Sequence, residues 1–168
     1  MVRKENFQLP TIIVGRSDVM KLRRDLLAAE DYISQIELRG SKASLKHLPR
    51  ISQRLSDFND INGVNIMNRD DRNRSLLFIN ELLKSAPELH ISFASDPSSA
   101  FLLKIIIWFR NNIDPLILVN IGLEPSIVAG CTLRSANRYY DFSLRHNFAA
   151  HRDLLINGLK EPLVNNKV

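Results

Sequence analysis

The sequence predicts an α+β fold, with a mainly helical first half followed by a small domain of strands and helices. Up to Pro87 the apolar residues recur at every third or fourth position, which is the period of an amphipathic helix. From His90 onwards there are several short apolar or alternating segments, each of strand length. We therefore place a domain boundary near Pro87, with residues 1–87 as the helical region and residues 88–168 as the second domain.

The first predicted helix follows a short β-branched run. Residues 11–14 (Thr-Ile-Ile-Val) stop at a glycine and have the length and composition of a strand. Ser17 and Asp18 can then cap a helix that ends before Arg39, because their side chains accept hydrogen bonds from free amides. The apolar face of this helix comprises Val19, Leu22, Leu26, Ala29, Ile33 and Ile36.

Two further helices are predicted before Pro87. One begins near Leu48, with Pro49 tolerated in its first turn. The next begins at Asp70 or Asp71 and ends before Pro87, since the residue before a proline avoids the helical region. Their apolar faces comprise Ile51, Leu55 and Phe58 in the first, and Leu76, Ile79 and Leu83 in the second.

The second domain is predicted to run strand, helix, strand, hairpin, helix. Residues 90–94 alternate between polar and apolar, as a half-buried strand does, and Asp96-Pro97 starts a helix. That helix has so few polar positions that we expect it to be packed on more than one side. Strands follow at 116–121 and 127–133, and a turn at 136–138 leads back through Tyr139–Phe142. Ser143 caps a last amphipathic helix.

Composition favours a folded protein, and its positive charge is consistent with acidic partners or with an ordinary solvated basic surface. The chain has 168 residues, a formal charge of +5 and 45% hydrophobic residues. Because Cys131 is the only cysteine, no internal disulfide can form, and its apolar neighbours favour a small core residue. We find no apolar run long enough to span a membrane and no signal peptide, so we expect a cytoplasmic protein or one peripheral to the cytoplasmic face of the membrane.

The sequence favours a structural role for its polar residues over catalysis. Asp141, Ser143 and Arg145 resemble a catalytic trio, but Ser143 has no assigned base and no glycine-rich elbow. Capping of the last helix by Ser143 or Asp141 is the simpler interpretation, with Arg145 pairing with an acid or facing a partner. The four histidines and the single cysteine lack metal-ligand spacing, so we expect no metal and no cofactor.

Aromatic and basic residues near the hairpin allow a second interpretation. Tyr139, Tyr140 and Phe142 beside Arg134 and Arg138 can form a stacking platform for single-stranded nucleic acid. Strand alternation sends neighbouring side chains to opposite faces, so we expect part of this cluster to be core. A small basic nucleic-acid-binding protein is therefore the alternative function.

One stretch of the second domain carries a recognisable motif. An apolar strand leads into Ile127-Val128-Ala129-Gly130-Cys131-Thr132-Leu133-Arg134, and a short turn leads into Asp141-Phe142-Ser143-Leu144-Arg145. With this motif, the chain from about Glu88 to Lys160 resembles the C-terminal domain of the delta subunit of bacterial F-type ATP synthases, and the match is most recognisable from Ile117 to Arg145. The family has the same order of glycine, basic residue and Asp-x-Ser-x-Arg motif. This chain departs from the family in the turn, Ala136-Asn137, at Cys131, and in its N-terminal half, which has three clear helices rather than six.

The resemblance implies a non-catalytic connector in the peripheral stalk. In that family the N-terminal domain binds the catalytic head through the alpha subunits, and the C-terminal domain holds the end of stalk subunit b. The protein would be a single copy within the complex, peripheral to the membrane, with no cofactor and no nucleic acid. Gly130, which lies inside a predicted strand, then indicates a bulge, a close approach to the helix containing Trp108, or a simple packing position.

Overall fold

The computed structural model describes residues 7–38 and 51–144, together with Arg152 and Ile156. Over these residues the fold is α+β, with a helical N-terminal half and a four-stranded mixed sheet, as the sequence predicts. The elements are α1 (Arg16–Leu38), α2 (Gln53–Asn62), α3 (Arg69–Ser85), β1 (Glu88–Phe93), α4 (Ser99–Asn112), β2 (Leu118–Leu123), a 3-10 helix (Pro125–Ile127), β3 (Gly130–Arg134) and β4 (Tyr139–Ser143).

Helix α1 begins where the side chain of Asp18 turns back on the preceding backbone. Its carboxylate accepts hydrogen bonds from the amides of Val14 and Gly15, at 3.2 and 3.3 Å. This satisfies donors that have no partner within the helix. The predicted apolar face is confirmed, except that Ile36 is only half-buried; the buried residues are Val19, Leu22, Leu26, Ala29 and Ile33.

The strand predicted at residues 11–14 is wrong. The amide of Ile13 donates to the carbonyl of Pro10 at 3.1 Å, so the run begins as a turn. Only its last residue meets the sheet, where the carbonyl of Val14 accepts from the amide of Val119 at 2.9 Å. The β-branched composition therefore marks a segment that touches one edge of the sheet without forming a ladder.

Helices α2 and α3 start at caps that the sequence analysis did not select. Ser52 caps α2 by accepting from the amide of Leu55 at 3.3 Å, so Ile51 precedes the helix; the predicted start near Leu48 lies outside the described residues. Asn68 caps α3 by accepting from the amide of Asp70 at 2.9 Å. Asp70 and Asp71 therefore lie in the first turn of α3, where negative charges interact favourably with the helix dipole and stabilise the helix.

The buried face of α3 differs from the predicted one because it contains polar residues. Ile79 is buried as predicted, but Leu76 and Leu83 are only half-buried, and the remaining buried positions are Arg72, Ser75 and Leu82. The guanidinium of Arg72, only 1% exposed, donates to the carbonyls of Ile66 and Met67 at 2.9 and 3.1 Å. A pattern of hydrophobic residues cannot predict the burial of an arginine that donates hydrogen bonds to backbone carbonyls.

The four strands lie in the order β2-β1-β3-β4. Strand β3 pairs antiparallel with both β1 and β4, and Cys131 lies opposite both Phe93 and Phe142. Strand β2 runs parallel to β1. The hydrogen bonds show this, since the amide of Leu118 donates to the carbonyl of Pro87 and the amide of Glu124 donates to the carbonyl of Phe93. The predicted hairpin is confirmed and closes through the amide of Ser135 and the carbonyl of Arg138 at 2.8 Å.

The chain packs into two compact units that alternate along the sequence. The first comprises the described residues up to Leu89 together with Ser98–Asn120, and the second comprises His90–Pro97 and the described residues from Ile121 onwards. Helix α4 therefore groups with the N-terminal helices. The core of the first unit is formed by Leu9, Ile13, Val19, Leu22, Leu26, Ala29, Leu55, Phe58, Ile79, Leu82 and Leu118.

Arg110 ties α4 to the N-terminal segment of the first unit. Its guanidinium donates to the carbonyls of Leu9 and Pro10, at 3.2 and 3.0 Å, and to the carbonyl of Ile13. Burial lowers the pKa of Arg110 below its ordinary value, although the carbonyl oxygens compensate the charge. Arg110, which interrupts the apolar run of α4, therefore links this helix to the N-terminal segment of the same unit.

Candidate docking surfaces

Gly130 makes a close backbone contact with the neighbouring strand. Its φ is 95°, and an added Cβ would overlap the carbonyl oxygen of Phe142. The close approach is thus to β4 rather than to the helix containing Trp108, which corrects one of the predicted alternatives. Only glycine combines this backbone conformation with this contact.

The other motif residues are distributed along the same hairpin. Ser143 is 3% exposed, lies opposite Gly130, and donates its amide to a carboxylate oxygen of Asp141 at 2.8 Å. Arg134 is exposed at the far end of β3, opposite Tyr139. Arg145 and most of the predicted last helix lie outside the described residues. The structure thus brings together Gly130, Asp141 and Ser143 and leaves Arg134 apart from them.

A strained residue precedes this hairpin, and the sequence analysis missed it. Val128 has a φ of 70° and a ψ of −57°, and the amide of Ala129 donates to the carbonyl of Ile127 at 2.9 Å. This is a γ-turn of the strained type, which a β-branched residue rarely adopts. No local sequence signal predicts it, because valine favours extended backbone.

Two observations bear on metal and thiol chemistry in the described residues. Among them, no group of three or more His, Cys, Asp and Glu side chains is placed to hold a metal ion. Cys131 is partly buried, and desolvation raises the pKa of its thiol above the ordinary value. A protonated thiol is a weak nucleophile at neutral pH.

A surface pocket of about 410 Å³ lies in the first unit. On one side of the pocket, the side chain of Asn62 accepts a hydrogen bond from the backbone amide of Gln8 at 2.7 Å and donates one to the backbone carbonyl of Gln8 at 3.1 Å. Another side carries the ion pair between Asp71 and Arg74. A hydrogen bond from the amide of Asn65, and then the Arg74 guanidinium, hold the pKa of Asp71 below its usual value. The side chains of Asn62, Asp71 and Arg74 that line this pocket are therefore engaged in contacts within the first unit.

Helix α4 exposes an unusual number of large apolar side chains for its length. Only Ile106 and Phe109 are buried, so the prediction that this helix packs on more than one side is wrong. Phe101 and Trp108, two turns apart, are 49% and 56% exposed. We call the exposed set the apolar α4 surface; it consists of Phe101, Leu103, Ile107, Trp108 and Ile113.

A second exposed surface lies on β4, which is the edge strand of the sheet. Tyr139 and Phe142 are 62% and 59% exposed, and Tyr140 is exposed as well, so the prediction that part of this cluster is core is wrong. The rings of Tyr140 and Phe142 stack with centroids 6.2 Å apart, and Arg138 donates to the Tyr140 hydroxyl at 3.3 Å. We call Tyr139, Tyr140 and Phe142 the aromatic edge.

Comparison with known protein families and with curated proteins finds no match to this chain. Within the described part of the chain, none of the helices combines the length and apolar character needed to cross a membrane. The features of the described residues that bear most directly on function are therefore the two exposed surfaces and the motif residues.

Proposed function

We propose that this protein is a non-catalytic connector in the peripheral stalk of an F-type ATP synthase. In this proposal residues 1–87 bind the catalytic head through the alpha subunits, and residues 88–168 hold the end of stalk subunit b. The protein acts as a single copy at the cytoplasmic face of the membrane, without cofactors. Its task is mechanical, because it resists the torque of the rotor and needs affinity and stiffness rather than an active site.

The observation that carries the proposal is the apolar α4 surface. Large apolar residues scattered singly on a surface are ordinary, but four on one helix of 14 residues, with a fifth at its C-cap, indicate an interaction site. Trp108 is the strongest anchor, because buried tryptophans contribute disproportionately to binding energy at protein interfaces. Its ring lies edge-to-face against that of Phe109, with the ring centroids 5.3 Å apart.

The chemistry of the surface specifies the kind of segment that fits it. Phe101 and Trp108 form one apolar stripe, Leu103 and Ile107 form another, and the exposed Lys104 lies between them. An amphipathic helix with an apolar face and an acidic residue near its centre would complement this arrangement. Such a helix at the end of a stalk subunit is what the connector function requires.

The test compares the affinity of the unmodified protein and of Trp108→Ala for stalk subunit b taken from the organism that makes this protein. We expect affinity to fall about tenfold or more, because the anchor is lost. Leu77→Ala is the matched control, since Leu77 is an exposed leucine on α3 outside the apolar α4 surface. Unchanged binding by Trp108→Ala, or an equal loss in both variants, would remove α4 as the contact. No binding of stalk subunit b by the unmodified protein would contradict the connector itself.

The aromatic edge keeps nucleic-acid binding as the alternative function. The stacked and exposed rings of Tyr140 and Phe142 beside Arg138 match a base-stacking platform. The described part of the second unit is not basic, however, because the number of its arginines, Arg134, Arg138 and Arg152, is matched by that of its acids, Asp96, Glu124 and Asp141. Binding of an oligonucleotide that persists at physiological salt would favour this alternative, whereas binding that vanishes with added salt reflects the overall charge alone.

A further inference from the structure

Helix α2 ends in an Asn-Gly pair, Asn62 and Gly63. In such a pair the backbone nitrogen of the glycine can attack the side-chain amide of the asparagine, and the missing Cβ leaves that approach open. Gly63 has a φ of 61°, and an added Cβ would meet no atom within 4 Å, so its role as helix cap accounts for the glycine. Asn62, by contrast, makes contacts that a helix cap does not require.

The Asn62 side chain fastens the N-terminal segment of the first unit to α2. Its oxygen accepts from the amide of Gln8 at 2.7 Å, and its nitrogen donates to the carbonyls of Gln8 and Phe58 at 3.1 and 2.8 Å. Next to Gln8, the ring of Phe7 stacks on the rings of Phe58 and Phe78, with centroids 5.8 and 4.9 Å apart. All three hydrogen bonds need a side chain that carries both donors and an acceptor, as an amide does.

We propose that Asn62 is a deamidation site and that its conversion to aspartate irreversibly releases Gln8 from α2. The Gly63 nitrogen loses its proton and bonds to Cγ of Asn62, the bond from Cγ to Nδ2 breaks, and ammonia leaves. Water then opens the resulting five-membered succinimide to aspartate or isoaspartate, so water is the only reactant added. This inference does not depend on the connector function, because it concerns a reaction within the chain itself.

The folded state restrains both reacting groups. The amide of Gly63 donates to the carbonyl of Asn59, and three hydrogen bonds hold the Asn62 side chain. Closure of the succinimide ring requires these bonds to break, which couples the reaction to detachment of Gln8. Conversion is therefore slow while the segment is attached and faster when it opens locally.

The product cannot restore the contact. A carboxylate carries acceptors and no donor, so the oxygen that replaces Nδ2 faces the carbonyl oxygens of Gln8 and Phe58 with no proton between them. The repulsion opposes reattachment. The effect is local, because the carbonyls of Leu9 and Pro10 still accept from Arg110. Deamidation thus acts as a one-way latch at Gln8.

The encoded product, Asn62→Asp, tests the release. Hydrogen exchange of the Gln8 amide, followed by NMR, should accelerate about tenfold or more, because the two donated bonds are lost. Asn112→Asp is the matched control. Asn112 is likewise the last residue of its helix and donates to the carbonyl four residues earlier, that of Trp108, at 2.8 Å, but this bond lies within α4. Unchanged exchange at Gln8 in Asn62→Asp, or equal acceleration in both variants, would contradict the latch.

Incubation of the intact protein in mildly alkaline buffer tests the coupling of the reaction to opening. Peptide mapping by mass spectrometry follows the conversion of Asn62 and separates it from the Asn-Gly pair at residues 157–158. We expect conversion to be about tenfold or more slower than in the peptide acetyl-Asp-Ile-Asn-Gly-Val-amide, because the folded chain restrains both groups.

Phe7→Ala should accelerate the conversion in the intact protein, since it removes the ring stack and leaves Asn62 and Gly63 unchanged. Leu77→Ala, at an exposed position on α3, should leave the rate as it is. Equal rates in the intact protein and the peptide, or a rate that Phe7→Ala does not change, would overturn the proposal. These rates are measured on chains that retain Asn62, so they decide the question even where Asn62→Asp fails to fold.

Discussion

A methyl group on Gly130 would overlap the backbone carbonyl oxygen of Phe142 on the adjacent strand. Gly130 also has a φ of 95°, which L-residues with a side chain rarely adopt. Two separate physical reasons therefore exclude other residues from this position. The glycine that marks the family-like motif is a requirement of the hairpin and need not contact any partner.

Gly130→Ala should lower the free energy of unfolding by about 2 kcal/mol or more, from the positive φ and the steric overlap together. Urea denaturation measures the loss. Gly122→Ala is the control, because a Cβ there would lie 3.4 Å from the Ser92 hydroxyl oxygen, an ordinary contact. An equal effect of the two substitutions would show that the close approach to Phe142 does not constrain β3.

Ser143→Ala should cost about 0.5–2 kcal/mol and should abolish no chemical activity, because the serine ends β4 where a helix cap is predicted. Ser143 is buried, whereas the control residue Ser126 is exposed and bonds only locally to Glu124. Ser126→Ala should therefore be close to neutral. An unchanged unfolding midpoint in Ser143→Ala, combined with the loss of a measurable hydrolase activity, would instead identify Ser143 as a nucleophile.

Arg110→Met should destabilise the protein by about 3 kcal/mol, because three backbone carbonyls lose a charged donor. Methionine retains much of the apolar stem, so the loss should reflect hydrogen bonding. Lys104→Met on the same helix is the matched control, since Lys104 is exposed. Thermal unfolding of both variants makes the comparison, and a cost of Lys104→Met as large as that of Arg110→Met would argue against a specific role for the guanidinium.

Asp71 should contribute stability at neutral pH that disappears in acid. Its pKa is lowered in the folded state by the Asn65 amide and then by Arg74, so folding favours the ionised form. The contribution is complete above about pH 5, well above the pKa of about 3.9 that an aspartate has in the unfolded chain. It is lost as the pH falls from there through the lower pKa of the folded state. Asp71→Asn should therefore destabilise the protein at pH 7 and lose this disadvantage in acid. Asp70→Asn, which changes an exposed neighbour in the same turn of α3, is the control variant for the urea unfolding measured at both pH values.

The class of the fold and the order of the elements from α1 to β4 follow largely from local patterns of apolar residues. The apolar spacing from Val19 to Ile33 predicts α1, and alternation at residues 90–94 predicts β1, because each pattern reflects a single buried face. The predictions failed where polar groups or distant contacts decide the structure. Arg72 is buried because carbonyls of Ile66 and Met67 accept from it, and no hydrophobic pattern reports that.

The surfaces were harder to predict than the elements for a related reason. An apolar side chain on α4 or β4 looks the same in the sequence whether it packs in a core or faces a partner. The sequence patterns predict at least partial packing of Trp108 and Phe142, whereas in the structure their side chains are 56% and 59% exposed. Burial depends on contacts far apart in the sequence, so local patterns cannot assign it.

The boundary predicted at Pro87 is tested by expressing residues 88–168 alone. In the structure, Leu118 belongs to the core formed with α1, α2 and α3, and Arg110 bonds to the segment before α1. The amide of Val119 also donates to the carbonyl of Val14. A cut at Pro87 removes all of these partners, so we expect α4 and the start of β2 to be poorly ordered in the fragment.

Amide dispersion by NMR measures that order, and residues 1–87 supplied as a separate chain provide the control. Addition of this second fragment should restore dispersed signals for Leu118 and Val119, because it returns the apolar core and the carbonyl partners of α4. The restoration should fail when the second fragment starts after Ile13, since three acceptors of Arg110 are then missing. If residues 88–168 alone give a fully dispersed spectrum that the second fragment does not change, Pro87 is a true domain boundary, and the contacts of α4 with the N-terminal segment contribute little to stability.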